Sequence, residues 1–412
     1  MKYFLPSLFC IVSLAFFSKP VCSKDFIDLK DFPTWFKEAM AKEVEVKSTS
    51  KLNIDELKIN EDVLGKLKLE EKAENFWYFT IDIGTASPVE CYAFTSYDGA
   101  ATSFHAIIEA TLPGVEKLNN KKLSGRYNYS LETGVIGETP YLLLDTLYHL
   151  GEGNNKVAGL LKGYSAETKN TLQICIHNEL GYRDTFRTVF TSFLSAFEKT
   201  NDDSSFFENI YQLKLNDMDV GYARETFIID QDGDIETKQE MAMMVPVDAN
   251  SVAHSDSLNL EWGNTDGALI NAYTYTIENG AMTQEFSISN AEGEWSVSGQ
   301  MQGKAVESKL EHKEWLLSTF GSYLAVANIL STEALEANYA MWMPDADPVS
   351  ATSISVKELT ENKDANVSVD MGPIKMDYLA ETDGTFEFAS LEQNGLPLKL
   401  IKLHAKGSPI LD

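Results

Sequence analysis

Residues 272–289 read AYTYTIENGAMTQEFSIS. Tyr273 and Tyr275 alternate with Thr274 and Thr276, Asn279-Gly280 interrupts, and Phe286 and Ile288 then alternate with Glu285, Ser287 and Ser289. Alternating β-formers on both sides of Asn-Gly specify two antiparallel strands and a tight hairpin, because a type I′ turn needs two left-handed residues and Asn and Gly tolerate that conformation. Similar punctuation recurs at Asn216-Asp217, Asp232-Gly233, Asp266-Gly267, Glu292-Gly293, Asp383-Gly384 and Asn394-Gly395. The spacing predicts a meander of long antiparallel strands over residues 205–412. One segment breaks it, about Lys313 to Leu330, with Trp315, Leu316, Phe320, Leu324 and Ala327 at helical spacing. The C-terminal domain therefore reads as a curved antiparallel sheet or half-barrel with one inserted helix, which covers its concave face or plugs its open end.

Upstream of the polar stretch Asn201 to Ser205 the texture changes. Residues 24–204 read as an α+β domain, an antiparallel sheet packed with helices. Strands are expected at Phe76 to Ile81, Val89 to Ser96, Thr102 to Ala110, Pro140 to Leu150, Val157 to Ser165 and Thr171 to Ile176. A short helix should follow Pro33, with Trp35, Phe36, Ala39 and Met40. Phe186, Val189, Phe190, Phe193, Leu194 and Phe197 form one apolar stripe at helical period, with Asp184 as the expected cap. Residues 42–74, rich in Lys and Glu, read as a solvated connector or a mobile edge element.

Residues 1–23 have the layout of a secretory signal: Lys2, an apolar run from Leu5 to Phe17, and Val21-Cys22-Ser23 before a cleavage site. No later stretch reaches about 18 uninterrupted apolar residues, so no integral membrane segment is expected after cleavage. The expected location is periplasmic or secreted. The 412 residues carry 62 acidic and 34 basic side chains, a formal charge of −28. That balance excludes a general nucleic-acid or anionic-lipid binder, since both rely on basic patches. From Ser205 onward there are 34 acidic and 12 basic side chains, so the surplus is concentrated in the C-terminal domain. Cleavage would leave Cys91 and Cys175, which in an oxidising compartment form one disulfide.

Chemistry-bearing motifs are sparse. Cys175 and His177 share a strand face, but that spacing does not favour thiolate–imidazole contact. Cys91, Cys175, His105 and His177 lack zinc-finger spacing. Asp230-Gln231-Asp232-Gly233-Asp234 looks like half a calcium loop, yet position 12 is Met241 and not Glu, so it reads as an acidic hairpin turn with a weak cation site as the alternative. There is no Gly-x-Ser-x-Gly, phosphate loop or His-Glu-x-x-His. Asn178 to Asp184 reads as a cap-and-turn, or as an anchoring loop with Tyr182 and Arg183 as contacts. Asn128-Tyr129-Ser130 and Asn366-Val367-Ser368 match glycosylation acceptors. No catalytic set or cofactor is called.

Tyr211 to Tyr222 (YQLKLNDMDVGY), Glu261-Trp262-Gly263 and Leu391 to Pro397 resemble segments of exported bacterial β-rich domains of unknown function and of the half-barrels of periplasmic lipoprotein carriers. The resemblance implies a curved sheet wrapped around an apolar cavity lidded by helices. The first domain is similar in element order to small exported α/β/α sandwiches. Expected lining residues are Met241, Met243, Trp262 and Tyr273, together with Tyr275, Trp295 and Trp342; plain core is the alternative for each. The function expected is a non-enzymatic exported protein binding an apolar ligand or a lipidated partner in the cell envelope. The alternatives are an envelope interaction module with no small ligand and a hydrolase with paired carboxylates. Titration of the denatured, unreduced mature protein should find no free thiol; two thiols would exclude the Cys91–Cys175 bridge.

Overall fold

The structure, a computed structural model, describes residues 32–199, 204–310, 314–360, 364–372, 374–393 and 396–411. The signal-like segment 1–23, the polar boundary residues 200–203, the start of the expected inserted helix at Lys313 and the Asn394-Gly395 turn lie outside the described residues. The chain is β-rich, its ladders are antiparallel, and it divides into two compact units. One holds residues 32–199 with Met244–His254; the other holds 204–243 and Ser255 onward.

The first unit opens with α1 (Thr34–Met40), then the hairpin β1 (Thr49–Ile54) and β2 (Ile59–Leu64). β3 (Lys66–Ala73), β4 (Phe76–Asp82), β5 (Val89–Phe94), α2 (Ala100–Asn119), β6 (Leu123–Ile136), β7 (Thr139–Leu150), β8 (Val157–Glu167), β9 (Leu172–Asn178) and α3 (Arg183–Glu198) follow. The seven-stranded sheet has the order β3-β4-β5-β9-β8-β7-β6. β5 beside β9 joins strands far apart in sequence, and there Cys91 and Cys175 sit directly opposite one another and form a disulfide with Cα atoms 4.1 Å apart.

The stripe of α3 is buried as its period requires: Phe186, Val189, Phe190, Phe193, Leu194 and Phe197 pack with Phe79, Tyr164 and Leu143. Its N-terminal cap is not local. Tyr182 precedes the helix in the left-handed region, and the Glu43 carboxylate accepts from the backbone N–H of Asp184 and Thr185 at 3.1 and 2.9 Å. Two expectations fail here. Thr102 to Ala110 is helix, not strand: Phe104, Ile108, Leu112 and Val115 recur every three or four residues and are buried, and Gly163 of β8 leaves room for Phe104 and Ile108. Of the two readings of residues 42–74 the connector fails, whereas Lys66–Ala73 does form an edge strand of the seven-stranded sheet. Residues 42–74 supply β1, β2 and β3, and Leu52, Ile54, Ile59 and Val63 are fully buried among the charged neighbours that dominate the composition.

The second unit is built on one fourteen-stranded sheet, of which only the tip at Met244–His254 is grouped with the first unit. Its strands are β10 (Phe207–Leu215), β11 (Met218–Ile229), β12 (Ile235–Pro246), β13 (Val252–Gly263), β14 (Leu269–Glu278), β15 (Ala281–Ala291), β16 (Glu294–Met301) and β17 (Lys304–Lys309). After α4 (Thr319–Ser331) come β18 (Glu336–Trp342), β19 (Ala351–Glu358), β20 (Val367–Asp370), β21 (Lys375–Ala380), β22 (Phe386–Gln393) and β23 (Leu396–Gly407). The order runs β17 to β10, then β23 to β18, so each strand pairs with its sequence neighbour except where β10 meets β23. The hairpin signals act as read: Asn216, Asp217, Asn279, Gly280, Glu292 and Gly293 all have positive φ.

The sheet rolls up and is closed by the segment before α4. Leu316 accepts from Leu269 N–H, Leu317 donates to Ala340, and Ser318 donates to Gly267, at 2.7, 2.7 and 2.9 Å. Leu317 thereby bridges the β14 side and β18. Beyond the seam, β15 and β16 bring Phe286, Ile288, Trp295 and Val297 against Leu316 and Trp342 in one apolar cluster. Closure needs two glycines. A Cβ on Gly321 would fall on the Gly267 carbonyl oxygen, and a Cβ on Gly267 would lie 2.5 Å from Gly321 Cα. Gly321→Ala should therefore lower stability by about 1–3 kcal/mol, while Gly114→Ala in α2, where a Cβ meets nothing within 4 Å, should leave it unchanged or raise it. Urea denaturation of both variants checks this.

Candidate functional site

The interior of the rolled sheet is polar where α4 enters it. Glu225 on β11, Gln239 on β12, and Asn259 and Glu261 on β13 project onto the face that meets α4, and all four are buried. Tyr323 of α4 and the Gln239 amide donate to the two Glu225 oxygens. Asn259 donates to Gln239 at 3.0 Å and to Glu261 at 2.8 Å. The N–H of Thr319, at the start of α4, donates to Glu261 at 2.6 Å, and its hydroxyl to Gln239 at 3.3 Å. Tyr211 lies 3.4 Å from Tyr323, hydroxyl to hydroxyl, and accepts from Asn209 at 2.8 Å. Glu261 thus meets the positive end of the helix dipole. Ser318 closes the same end, accepting from Gly321 N–H at 3.0 Å.

Burial pushes Glu225 up to about 7, against the hydrogen bonds of Tyr323 and Gln239. Burial also raises Glu261, opposed by Thr319 and Asn259. Tyr211, Tyr323 and Tyr378 are raised by burial and then by the Glu225 charge. A second acid pair lies elsewhere in the roll, where burial and then Asp345 push Glu278 to about 7, and burial pushes Asp345 to about 7.

On its other side α4 packs against the Gly384 turn, which comes against the Tyr323 backbone, and leaves one small gap. Between it and β19, β20, β21 and β22 lies a cleft of about 30 Å³, lined among others by Tyr323, Val326, Ile354, Val356, Tyr378 and Phe386. That volume holds roughly two water molecules. No Lys, Arg, Asp or Glu lines it.

The residues expected to line a ligand cavity are scattered. Met241 and Met243 are buried on the α4 face of β12, in phase with Gln239. Trp295 and Trp342 are core, packed together in the cluster beyond the seam. Trp262, Tyr273 and Tyr275 are half-buried on the opposite face, since Trp262 alternates with Glu261 and Tyr273 pairs with Leu260. None of the seven lines the cleft. The polar interior was missed because Asn259 and Glu261 alternate with Leu258, Leu260 and Trp262, a pattern that reads with Leu and Trp inward. The usable signal was the repeated pairing of acids and amides at period two on adjacent strands.

The motifs of the first unit resolve as structure. Cys175 is bridged to Cys91 and forms no dyad with His177. Ser130, Asp145, Lys162 and His177 sit opposite one another across β6 to β9, the last three fully buried. Burial lowers Lys162 to about 8 despite Asp145; burial and then Lys162 lower His177 to about 3. Lys162 donates to the Glu179 carbonyl, and Arg183 reaches Asp145 at 3.4 Å and Ser130 at 3.3 Å. The 178–184 loop is therefore fastened to its own sheet. The sequon Asn128 is buried and donates to the Asp248 and Ser251 carbonyls, both at 3.2 Å; Asn366 is bound on both amide atoms to Ala380. Asp230 accepts from the Asp232 and Asp234 N–H groups of its own turn. No group of three His, Cys, Asp or Glu among the described residues could hold a metal ion. No helix among them is long and apolar enough to cross a membrane.

No protein-family model and no curated protein matches the chain. Among solved structures it is similar to a β-barrel-like protein of the domain of unknown function DUF1849 from Brucella abortus, at 11% identity and a TM-score of 0.39, over 49% of this chain and 97% of that one.

Glu225, Glu278 and Asp345 all bind protons more tightly when buried than in an unfolded chain. Their contribution is complete below about pH 4.5 and is lost as pH rises through about 7. The urea midpoint should fall between pH 4.5 and 7.5, and Glu225→Gln should flatten that fall. A midpoint that rises over this window would contradict the assignment.

Proposed function

We propose that the protein is a non-enzymatic, exported binding protein whose second unit takes an apolar ligand, or the apolar group of a lipidated partner, in the cleft beside α4. The observation that carries this reading is an apolar cleft free of charged lining, set between a helix and the inner face of a curved sheet. The likeness to half-barrel carriers of periplasmic lipoproteins belongs to the same proposal, as does a periplasmic or secreted location, with which the Cys91–Cys175 disulfide agrees. No cofactor takes part. Glu225 and Glu261 are occupied by hydrogen bonds to α4 and its neighbours, which gives a hydrolase reading no support.

The small volume of the cleft, about 30 Å³, favours a second reading: an envelope interaction module with no small ligand. Under the first reading, ligand entry requires α4 to shift from β19 and β21. Native mass spectrometry of residues 24–412, purified from the native compartment without detergent, separates the two. The expected result is a mass excess lost on denaturation, an apolar molecule in the organic extract, and loss of both in Val356→Trp, which fills the cleft. A bare polypeptide mass, with the disulfide intact, would select the interaction module.

A further inference from the structure

We infer that Glu278, Gln284 and Asp345 form a binding site for a hard divalent cation, calcium by its chemistry, which fastens the β14–β15 hairpin to the turn after β18. The inference is independent of the cleft beside α4, since none of the three residues lines it. What carries it is a set of buried polar atoms with nothing to bond. Glu278 Oε1, Gln284 Nε2 and Asp345 Oδ1 each lack a hydrogen-bond partner among the described residues. Gln284 and Asp345 are only 3% and 5% exposed. Such atoms are rare in folded proteins, because a buried polar group left unpaired is costly. Three of them together, two on carboxyl groups, point to a common partner.

The fold brings the three together. On β14, Glu278 shares the inward face with Thr276, and Thr276 pairs directly with Gln284 on β15. Asp345 arrives from beyond β18, at the far end of the strand order. It follows Trp342, which packs in one cluster with Phe286, two residues past Gln284. The Ala346 N–H donates to the Met343 carbonyl at 3.0 Å, and this turn buries Asp345 while Ala346 and Asp347 stay exposed. Gln284 turns its side chain to Asp345, and Asp345 is the charge that acts on Glu278. No Lys or Arg acts on either carboxyl.

The donor set selects the ion. All three side chains offer oxygen, the Gln284 amide by a half-turn that exchanges its oxygen and nitrogen. None offers nitrogen or sulfur to a soft metal. Two carboxylates balance a charge of +2, and an amide oxygen beside them is a usual calcium ligand. With two acids and not three, the site should be weak, in the range of about 0.1–1 mM. Glu278 is half-buried and borders the exposed Asn279-Gly280 turn, which leaves the ion a way in.

Equilibrium dialysis of residues 24–412 against radioactive calcium tests this, with the disulfide intact and metal first removed by EDTA. A pH of about 8 limits competition from protons, and potassium chloride at about 0.15 M screens diffuse binding to the acidic surface. The wild type should retain about one ion per chain, half-saturated at about 0.1–1 mM. Asp345→Asn and Glu278→Gln should each weaken retention at least tenfold. Asp230→Asn, which removes a carboxylate from the acidic turn at 230–234, should leave it unchanged. Calcium should likewise raise the urea midpoint of the wild type and of Asp230→Asn but not of Asp345→Asn. Absence of saturable retention by the wild type up to about 5 mM, well above the expected half-saturation, overturns the site, whether or not the variants fold. Retention that survives both carboxyl variants, or that is lost in Asp230→Asn, places the ion elsewhere and overturns it equally. If one carboxyl variant does not fold, the other decides.

Discussion

The second unit depends on one close approach. Gly267 and Gly321 meet backbone to backbone, and only there can the segment Leu316–Ser318 enter the gap between β14 and β18. Without it the fourteen-stranded sheet has two open ends and no interior. With it, the backbone groups at the seam are satisfied, α4 is aimed into the roll, and β15 and β16 can fold Trp295 over Leu316 and Trp342. The apolar cluster, the helix and the cleft all follow from that local geometry.

What fills the roll is unusual in its chemistry. A curved sheet ordinarily presents apolar side chains to whatever it wraps, and a helix inside it adds more. Here the entering end of α4 brings an N–H group that Glu261 accepts, while Gln239 and Glu225 accept from the Thr319 and Tyr323 hydroxyls. The other flank of the helix meets aliphatic and aromatic side chains without filling the space between. α4 is thus hydrogen-bonded to the sheet at its start and packed through Phe320 and Tyr323 against Phe207, Phe227 and Ile235.

Much of this was written in local sequence. The hairpins were legible because Asn279-Gly280 and its counterparts set the backbone by themselves, and α3 because six apolar residues fall on one stripe. What escaped was set at long range. Glu43 caps α3 from about 140 residues away. Thr102 to Ala110 contains enough β-branched residues to pass for a strand until Leu112 and Val115 extend the stripe past Pro113. The inward phase of β13 is reversed by the needs of α4, so Trp262 and its tyrosine neighbours face out while Glu261 faces in. A shift of one residue in phase exchanges a strand's two faces, and nothing within the strand records which face the helix will require.

The pairing order has a consequence for how the protein is made. In the first unit β5 waits for β9, and in the second β10 waits for β23. A chain emerging from its N-terminus therefore carries an unpaired strand edge in each sheet for much of its synthesis. Such edges are templates for joining other chains. The first gap is sealed covalently as soon as Cys175 meets Cys91. The second stays open until the last strand arrives, and over that interval the concentrated negative charge of the second unit would keep neighbouring nascent chains apart. Acidity that says little about a partner thus makes sense as protection during assembly.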